Sequence, residues 1–325
     1  MIATAFWLEA PGRGALRSEA IPDPAAGEVR VRTLYTGISR GTESLVFRGE
    51  VPAGERERMR APFQRGDFPA PVAYGYLNVG VVEQGPLELE GRTVFTLFPH
   101  QSAFVVPASA VAVVPVGVPA RRAVLAGAVE TAVNILWDAA PLVGDRITVI
   151  GAGMIGAAVA RLAGGIPGAD IAVVDVDRAK RQVCDSLGVA YFHPGDAPQD
   201  RDLVIDTSGS AAGLQLAIET AATEGEIIEA SWFGDRPVEL RLGGDFHSRR
   251  LTIRSSQVGA VAPRRRASRS TGDRLALAMQ LLQDDAFDHL LTGTSPWRDL
   301  PAVMADIAAG ALPGLCHTID WSESA

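Results

Sequence analysis

This sequence predicts an α/β fold: a doubly wound parallel sheet wrapped by helices, joined to a β-rich lobe. Three observations carry that expectation. Residues 145–175 read as strand, glycine-rich turn, helix, strand and terminal acid. Strand and helix then alternate with short connections, which gives a parallel sheet. Residues 1–117 instead show short alternating apolar runs between turn signals, the mark of a β-rich lobe.

Within 145–175, Ile147–Ile150 is the apolar, β-branched run of a buried parallel strand. Gly151-Ala152-Gly153-Met154-Ile155-Gly156 follows and matches G-x-G-x-x-G. Gly151 allows a tight turn, Gly153 leaves bare backbone for a pyrophosphate, and Gly156 lets the helix pack close to the strand. The first N–H groups of that helix, around Met154 and Ile155, and its partial positive charge favour phosphate. The helix runs over 157–163 and a second strand over 171–174, closed by Asp175. Asp175 stands at about the 20-residue offset of an acid that grips ribose hydroxyls. A carboxylate there repels a 2′-phosphate, so NAD is favoured over NADP. Arg178 and Lys180 soften that repulsion, and NADP stays possible. The rival reading is a glycine-rich strand–helix turn that binds nothing; it does not require the acid.

In the front of the chain, strands are expected at 3–7, 28–35, 78–83, 93–97 and 103–106, punctuated by Pro22, Pro24, Gly27, Gly85-Pro86 and Pro107. Residues 49–68 are polar and charged without apolar periodicity: an exposed loop or short helix, either a solvated insertion or a lid. A helix with proline at its start covers 119–139. After the dinucleotide unit come a strand at 203–206, a helix at 214–220, and strands at 226–230 and 251–258. Gly151, Asp175, Thr207 and Ser231 then fall at carboxyl ends of strands, where such sheets bind ligands. Helices at 273–283 and 300–309 and a strand at 314–320 complete the chain, the tail returning to the first lobe. Domain boundaries are expected at 118/119 and 263/264, giving 1–118 completed by 264–325, and 119–263 between.

Composition narrows the function. The 325 residues carry a net charge of −8, 47% hydrophobic and 21% charged residues. An acidic chain argues against general nucleic-acid or anionic-membrane binding. The run Arg264-Arg265-Arg266 with Arg269 has no interleaved aromatics and reads as a solvated loop. No apolar run reaches the roughly 18 residues of a membrane span, and the N-terminus lacks a secretory pattern. Cys184 and Cys316 read as reduced thiols of a cytoplasmic protein.

Several motifs resemble the medium-chain dehydrogenase/reductase superfamily: Gly37-Ile38-Ser39-Arg40-Gly41-Thr42-Glu43, Tyr74-Gly75-Tyr76, Gly91-Arg92-Thr93-Val94, the Gly151 fingerprint, and 202–209. The likeness covers essentially the whole chain. Within the superfamily, the 37–43 segment, Pro99-His100-Gln101 and Phe246-His247-Ser248 are similar to the branch that includes bacteriochlorophyllide hydroxyethyl dehydrogenase. The resemblance implies a GroES-like catalytic domain made of both chain ends, a Rossmann domain between, an active site in the cleft, and a homodimer through the last Rossmann strand.

Zinc-dependent members of that family place a Cys where Ser39 stands (or Arg40, in a register one residue along) and a His where Tyr76 stands. A third ligand falls near Gly127 or Ala128; Glu130 is close, but one carboxylate does not hold a catalytic metal. Zinc prefers thiolate, imidazole and carboxylate ligands, and two cysteines cannot build a four-cysteine lobe. No zinc is expected. Hydrogen bonds and proton transfer must then stabilise a reacting oxygen. The candidates are Tyr76, as catalytic donor or packed strand-end tyrosine; Ser39 and Thr42, as relay or loop-capping hydroxyls; and His100, as proton exchanger or structural histidine. Glu130 and Thr131 would face the nicotinamide in relatives, and Arg40 the pyrophosphate. His247 is expected to pack beneath the dinucleotide domain.

The expected function is an NAD(H)-dependent, zinc-independent oxidoreductase of a small organic carbonyl, alcohol or activated C=C. Two rivals stay open: an epimerase or lyase with tightly held NAD, and a non-catalytic dinucleotide-binding sensor or scaffold.

Overall fold

The computed structural model describes residues 1–323. The chain forms two compact units, Met1–Gly127 together with the chain from Leu291 onward, and Ala128–Leu290.

The first unit is built on the long strand Glu28–Ile38, whose buried positions alternate as a strand with one face on a core requires. Val29 and Val31 pack with Val82, Val94, Phe98, Phe104 and Val106, and the Phe98 and Phe104 rings stack at 3.9 Å. Each such buried side chain contributes roughly 1.5–3 kcal/mol. Glu28–Ile38 pairs antiparallel with Asn78–Gln84, Ala103–Pro107 and Cys316–Asp320. The seven-stranded sheet is extended by Thr93–Thr96 and Val111–Val113 on one side and Leu291–Pro296 on the other. A second, four-stranded sheet runs Arg13–Ala20, Ile2–Ala10, Val72–Ala73, Arg65–Gly66. Directly after Ile38, the chain turns at Ser39 into the helix Arg40–Phe47. The strand Cys316–Asp320 sets His317 opposite Ile38 and delivers the fully buried Trp321 beneath the same turn.

The second unit is a six-stranded, all-parallel sheet. Its spatial order is Ala190–Phe192, Asp170–Val174, Arg146–Ile150, Arg201–Asp206, Ala221–Glu229, Thr252–Ser255. In chain order this is 3-2-1-4-5-6, the dinucleotide-binding arrangement, with its reversal between Arg146–Ile150 and Arg201–Asp206. Ile150, Val174, Val204, Leu214, Ile218 and Ile227 form part of one apolar cluster beneath helix Ala211–Thr220.

Several expectations need correction. The helix expected over 119–139 is two, Ala120–Ala123 and Ala126–Ala139, and the unit boundary falls inside the second. The other boundary lies at 290/291 rather than 263/264. The reason is local: Arg274 on helix Thr271–Leu281 pairs with Glu130, and Arg161 with Asp284, so this segment belongs to the parallel-sheet unit. Residues 49–68 are mostly loop, as expected, with a 3₁₀ turn, Ala53–Glu55, and the two-residue strand Arg65–Gly66. The strand expected over 251–258 is the four residues Thr252–Ser255. His247 is exposed rather than packed.

Candidate active site

The glycine turn has the shape that dinucleotide binding needs. Gly151 sits at φ +97°, and a Cβ there would fall 2.9 Å from the Ser208 backbone. A Cβ on Gly156 would meet the Thr207 hydroxyl oxygen at 2.5 Å, so the helix packs against bare backbone. Gly153 is different: a Cβ there meets nothing within 4 Å. The space over Gly153 is open, as a phosphate cradle must be. Gly153 caps helix Met154–Ala163 with no side-chain hydrogen bond. The first intrahelical bond runs from the Ala157 N–H to the Gly153 carbonyl at 2.9 Å. The N–H groups of Met154, Ile155 and Gly156 therefore lie ahead of the helical ladder, where an anion is stabilised.

Asp175 ends the next strand. One carboxylate oxygen accepts from the Ala152 N–H at 2.7 Å and the other from the Asp177 N–H at 2.8 Å. The acid is thereby fixed against the glycine turn. Arg178 is exposed nearby. Thr207 donates its hydroxyl to the carbonyls of Ile150 and Gly151, both at 3.0 Å, and its N–H to Ile150 at 2.8 Å. These bonds join the first and fourth strands of the sheet at the reversal of order.

A polar cluster occupies the first unit around the Ser39 turn. Ser39, Thr42, Tyr76 and His100 all belong to it. The Tyr76 phenol hydrogen-bonds the Ser39 and Thr42 side chains. Burial first, then the charge of Glu43, push it up to about 12. It stays protonated near neutral pH, so its O–H can donate while its oxygen accepts from neighbouring hydroxyls. Glu43 accepts from the Ser39 N–H at 2.7 Å and lies 2.8 Å from His100 Nε2. His100 Nδ1 lies 2.7 Å from Thr36 Oγ1, which also accepts from the Trp321 indole N–H at 3.0 Å. His100 is 1% exposed with both ring nitrogens engaged, the placement of a structural histidine. Thr36, Glu43 and Trp321 complete this network; only Glu43 lies in a motif visible in the sequence, because the others come from distant strands.

Arg40 donates to the Leu312 carbonyl, while its Nη1 is buried without a partner. Its neighbours include His317 and Cys316. Burial, then the charges of Arg40 and Arg121, lower the His317 pKa, and burial pushes the Cys316 thiol up to about 12.

Glu130 and Thr131 fall in the second unit. Glu130 is 5% exposed and pairs with Arg274 at 3.0 Å. Arg274 also donates to Asn134 Oδ1 at 2.6 Å and to the carbonyls of Val258 and Ala260. Glu130 therefore anchors the segment after the last strand. Burial raises its pKa, against the lowering by Arg274.

Among the described residues, no three His, Cys, Asp or Glu side chains come together as a metal-ion site, and no helix is long and apolar enough to cross a membrane.

No family model matches the sequence. The starvation-sensing protein RspB of Escherichia coli K12 is 26% identical over 288 residues, 78% of this chain and 83% of that protein. The short chain alcohol dehydrogenase RspB of E. coli CFT073, solved with NADH, superposes with a TM-score of 0.77 at 18% identity, covering 98% of this chain and 99% of that one. 2R,3R-butanediol dehydrogenase of Bacillus subtilis gives 0.78 at 16%, over 98% and 99%. L-idonate 5-dehydrogenase of E. coli gives 0.81 at 15%, over 98% of each chain. At these identities the structural likeness is one of fold.

Proposed function

Because the chain has the medium-chain dehydrogenase/reductase fold, we propose that it is an NAD(H)-dependent oxidoreductase that works without zinc. Its substrate is a small organic molecule with a carbonyl, an alcohol or an activated C=C. The observation that carries this reading is the open glycine turn, whose Gly153 faces unfilled space at the start of its helix; within the other unit a protonated phenol, Tyr76, stands among hydroxyls.

The bound nicotinamide supplies or accepts the hydride. The chain does the rest. The turn at Gly151–Gly156 and the N–H groups of the first helical turn hold the diphosphate. Asp175 receives the ribose hydroxyls and disfavours a 2′-phosphate. The Tyr76 phenol donates to the substrate oxygen and gives it a proton as negative charge grows there. An alkoxide is a stronger base than a phenolate, so that transfer is downhill even from a phenol near 12. Ser39 and Thr42 bond the phenol oxygen and offset the charge left on it. Such a donor is worth roughly 10²–10³ in rate.

Zinc independence rests on the donor set. Ser39 or Arg40 and Tyr76 stand where zinc-dependent members place Cys and His, and hydroxyl, guanidinium and phenol are poor zinc ligands. Without metal polarisation, activated carbonyls and enones suit the site better than simple alcohols.

The test uses purified protein with NADH and a panel of ketones, aldehydes, enones and quinones, with metal content measured on the same sample. Substrate-dependent loss of nicotinamide absorbance, metal-free and about 10²-fold slower in Tyr76→Phe, is the expected result. Stoichiometric zinc with chelator-sensitive turnover would overturn the metal-free reading. Saturable NADH binding without turnover would favour a scaffold.

A further inference from the structure

Asp206 and Glu229 end neighbouring parallel strands and are direct partners in register. Partners in a parallel pair point to the same face of the sheet. Asp206 is 0% exposed. One oxygen of each acid is used by the turn that follows: the Ser208 N–H donates to Asp206 Oδ1 at 2.9 Å, and the Ser231 N–H to Glu229 Oε1 at 2.6 Å. The remaining oxygens, Asp206 Oδ2 and Glu229 Oε2, are buried and find no donor elsewhere in the protein. The two carboxyl groups thus stand side by side on adjacent strands, each with a buried oxygen that only a proton held between them can satisfy. Two buried carboxylates so placed cannot both ionise cheaply, and one proton between them relieves the repulsion.

The two turns that flank this pair are stitched together and to the glycine loop. The Gly209 N–H donates to Ser231 Oγ at 2.9 Å. Thr207, next to Asp206, bonds the carbonyls of Ile150 and Gly151. A rigid path thus leads from Glu229 through Asp206 and Thr207 to Gly151.

We propose that Asp206 and Glu229 are positioning residues of the dinucleotide site: they share one proton, and that proton holds the Thr207–Gly209 turn against the glycine loop, so that its loss weakens dinucleotide binding. This rests on the reading of Gly151–Gly156 as a dinucleotide cradle.

The charged groups on the strands and helix packed around the pair are already bound to partners. Strand Arg146–Ile150 carries Arg146, at its opposite end, bound to Asp202. Strand Thr252–Ser255 carries Arg254, bound to Glu226. Helix Ala211–Thr220 carries Glu219, bound to Arg241. In the loop after Glu229 come Asp235 and Arg236, the latter over the Phe233 ring. Each acid of the pair is therefore governed chiefly by burial and by its partner. Burial, then the charge of Asp206, push Glu229 up to about 8, and burial raises Asp206. Above that pH a second negative charge appears between two adjacent strands, beside a site built for an anion.

The experiment is an NADH titration by fluorescence between about pH 6 and about pH 10, on wild type and Glu229→Gln, with circular dichroism as the folding control. A Gln amide can donate to Asp206 without a titrating proton. Wild-type affinity is expected to fall by about tenfold per pH unit above about 8, while Glu229→Gln stays flat. Should Glu229→Gln fail to fold, Asp206→Asn supplies the amide from the other strand and carries the same comparison. Identical profiles in wild type and variant, or a wild-type affinity indifferent to pH, overturn the proposal while leaving the dinucleotide reading intact. No NADH binding by either protein at any pH overturns both.

Discussion

A Cβ on Gly156 would fall 1.9 Å from the carbonyl oxygen of Gly151. The helix after the glycine turn is thus held to its strand by the absence of a side chain. Gly153, three residues earlier, faces open space instead. Alanine at the two positions should have opposite consequences. Gly153→Ala should fold with nearly the wild-type Tm, because its φ of −75° suits any residue, but should weaken NADH binding at least tenfold. Gly156→Ala should lower Tm markedly, since a backbone atom must move; overpacking of this kind costs roughly 1–3 kcal/mol. Thermal melts and NADH titrations on both variants check the contrast.

Asp175 is fixed by two backbone N–H groups, so its charge stands in one place. In Asp175→Ala, the ratio of NADPH to NADH dissociation constants should fall at least tenfold, through gain of NADPH as well as loss of NADH. An unchanged ratio would remove Asp175 from cofactor selection.

Glu130 and Arg274 form a buried ion pair. Removing one partner strands the other charge, at a cost of roughly 3–5 kcal/mol. Arg274→Met should therefore shift the urea midpoint strongly downward, and Arg274→Met with Glu130→Leu should recover part of the loss. Glu130→Gln, which keeps the volume and a hydrogen bond to Arg274, should retain turnover. A folded but inactive Glu130→Gln would return Glu130 to the chemistry.

The Asp206–Glu229 pair also predicts how stability changes with pH. Glu229 is pushed up to about 8 from an ordinary 4.5, so the folded state keeps a proton that the unfolded state gives up. That contribution is complete below about 4.5 and is lost progressively as pH rises to about 8. The Tm of wild type relative to Glu229→Gln should decline across that window and level off above it.

Much of the dinucleotide unit was legible because its determinants are contiguous. Strand, turn, helix, strand and acid follow one another within 146–175, and each is set by its own residues. Short or polar strands were not legible. Ala190–Phe192 is three residues long, and Arg13–Ala20 and Leu291–Pro296 lack buried alternation strong enough to stand out. Helix Thr271–Leu281 showed its apolar face, yet periodicity cannot say which unit receives it; a buried arginine decided that. The polar cluster was half visible. Ser39, Thr42 and Tyr76 sit in recognisable segments, but the bond from Trp321 to Thr36 spans 285 positions. The Asp206–Glu229 pair needed the strand register, which no local pattern supplies.

Strand Glu28–Ile38 finds one of its neighbours in Cys316–Asp320, which follows the entire parallel-sheet unit in sequence. That pairing must wait until the whole inserted unit has been made, whereas Ala128–Leu290 holds all its own strands. During synthesis the inserted unit is expected to mature first, and its compaction shortens the gap that the host sheet must close. A chain stopped after Leu290 should accordingly protect the parallel sheet from protease while leaving the front of the molecule open to cleavage.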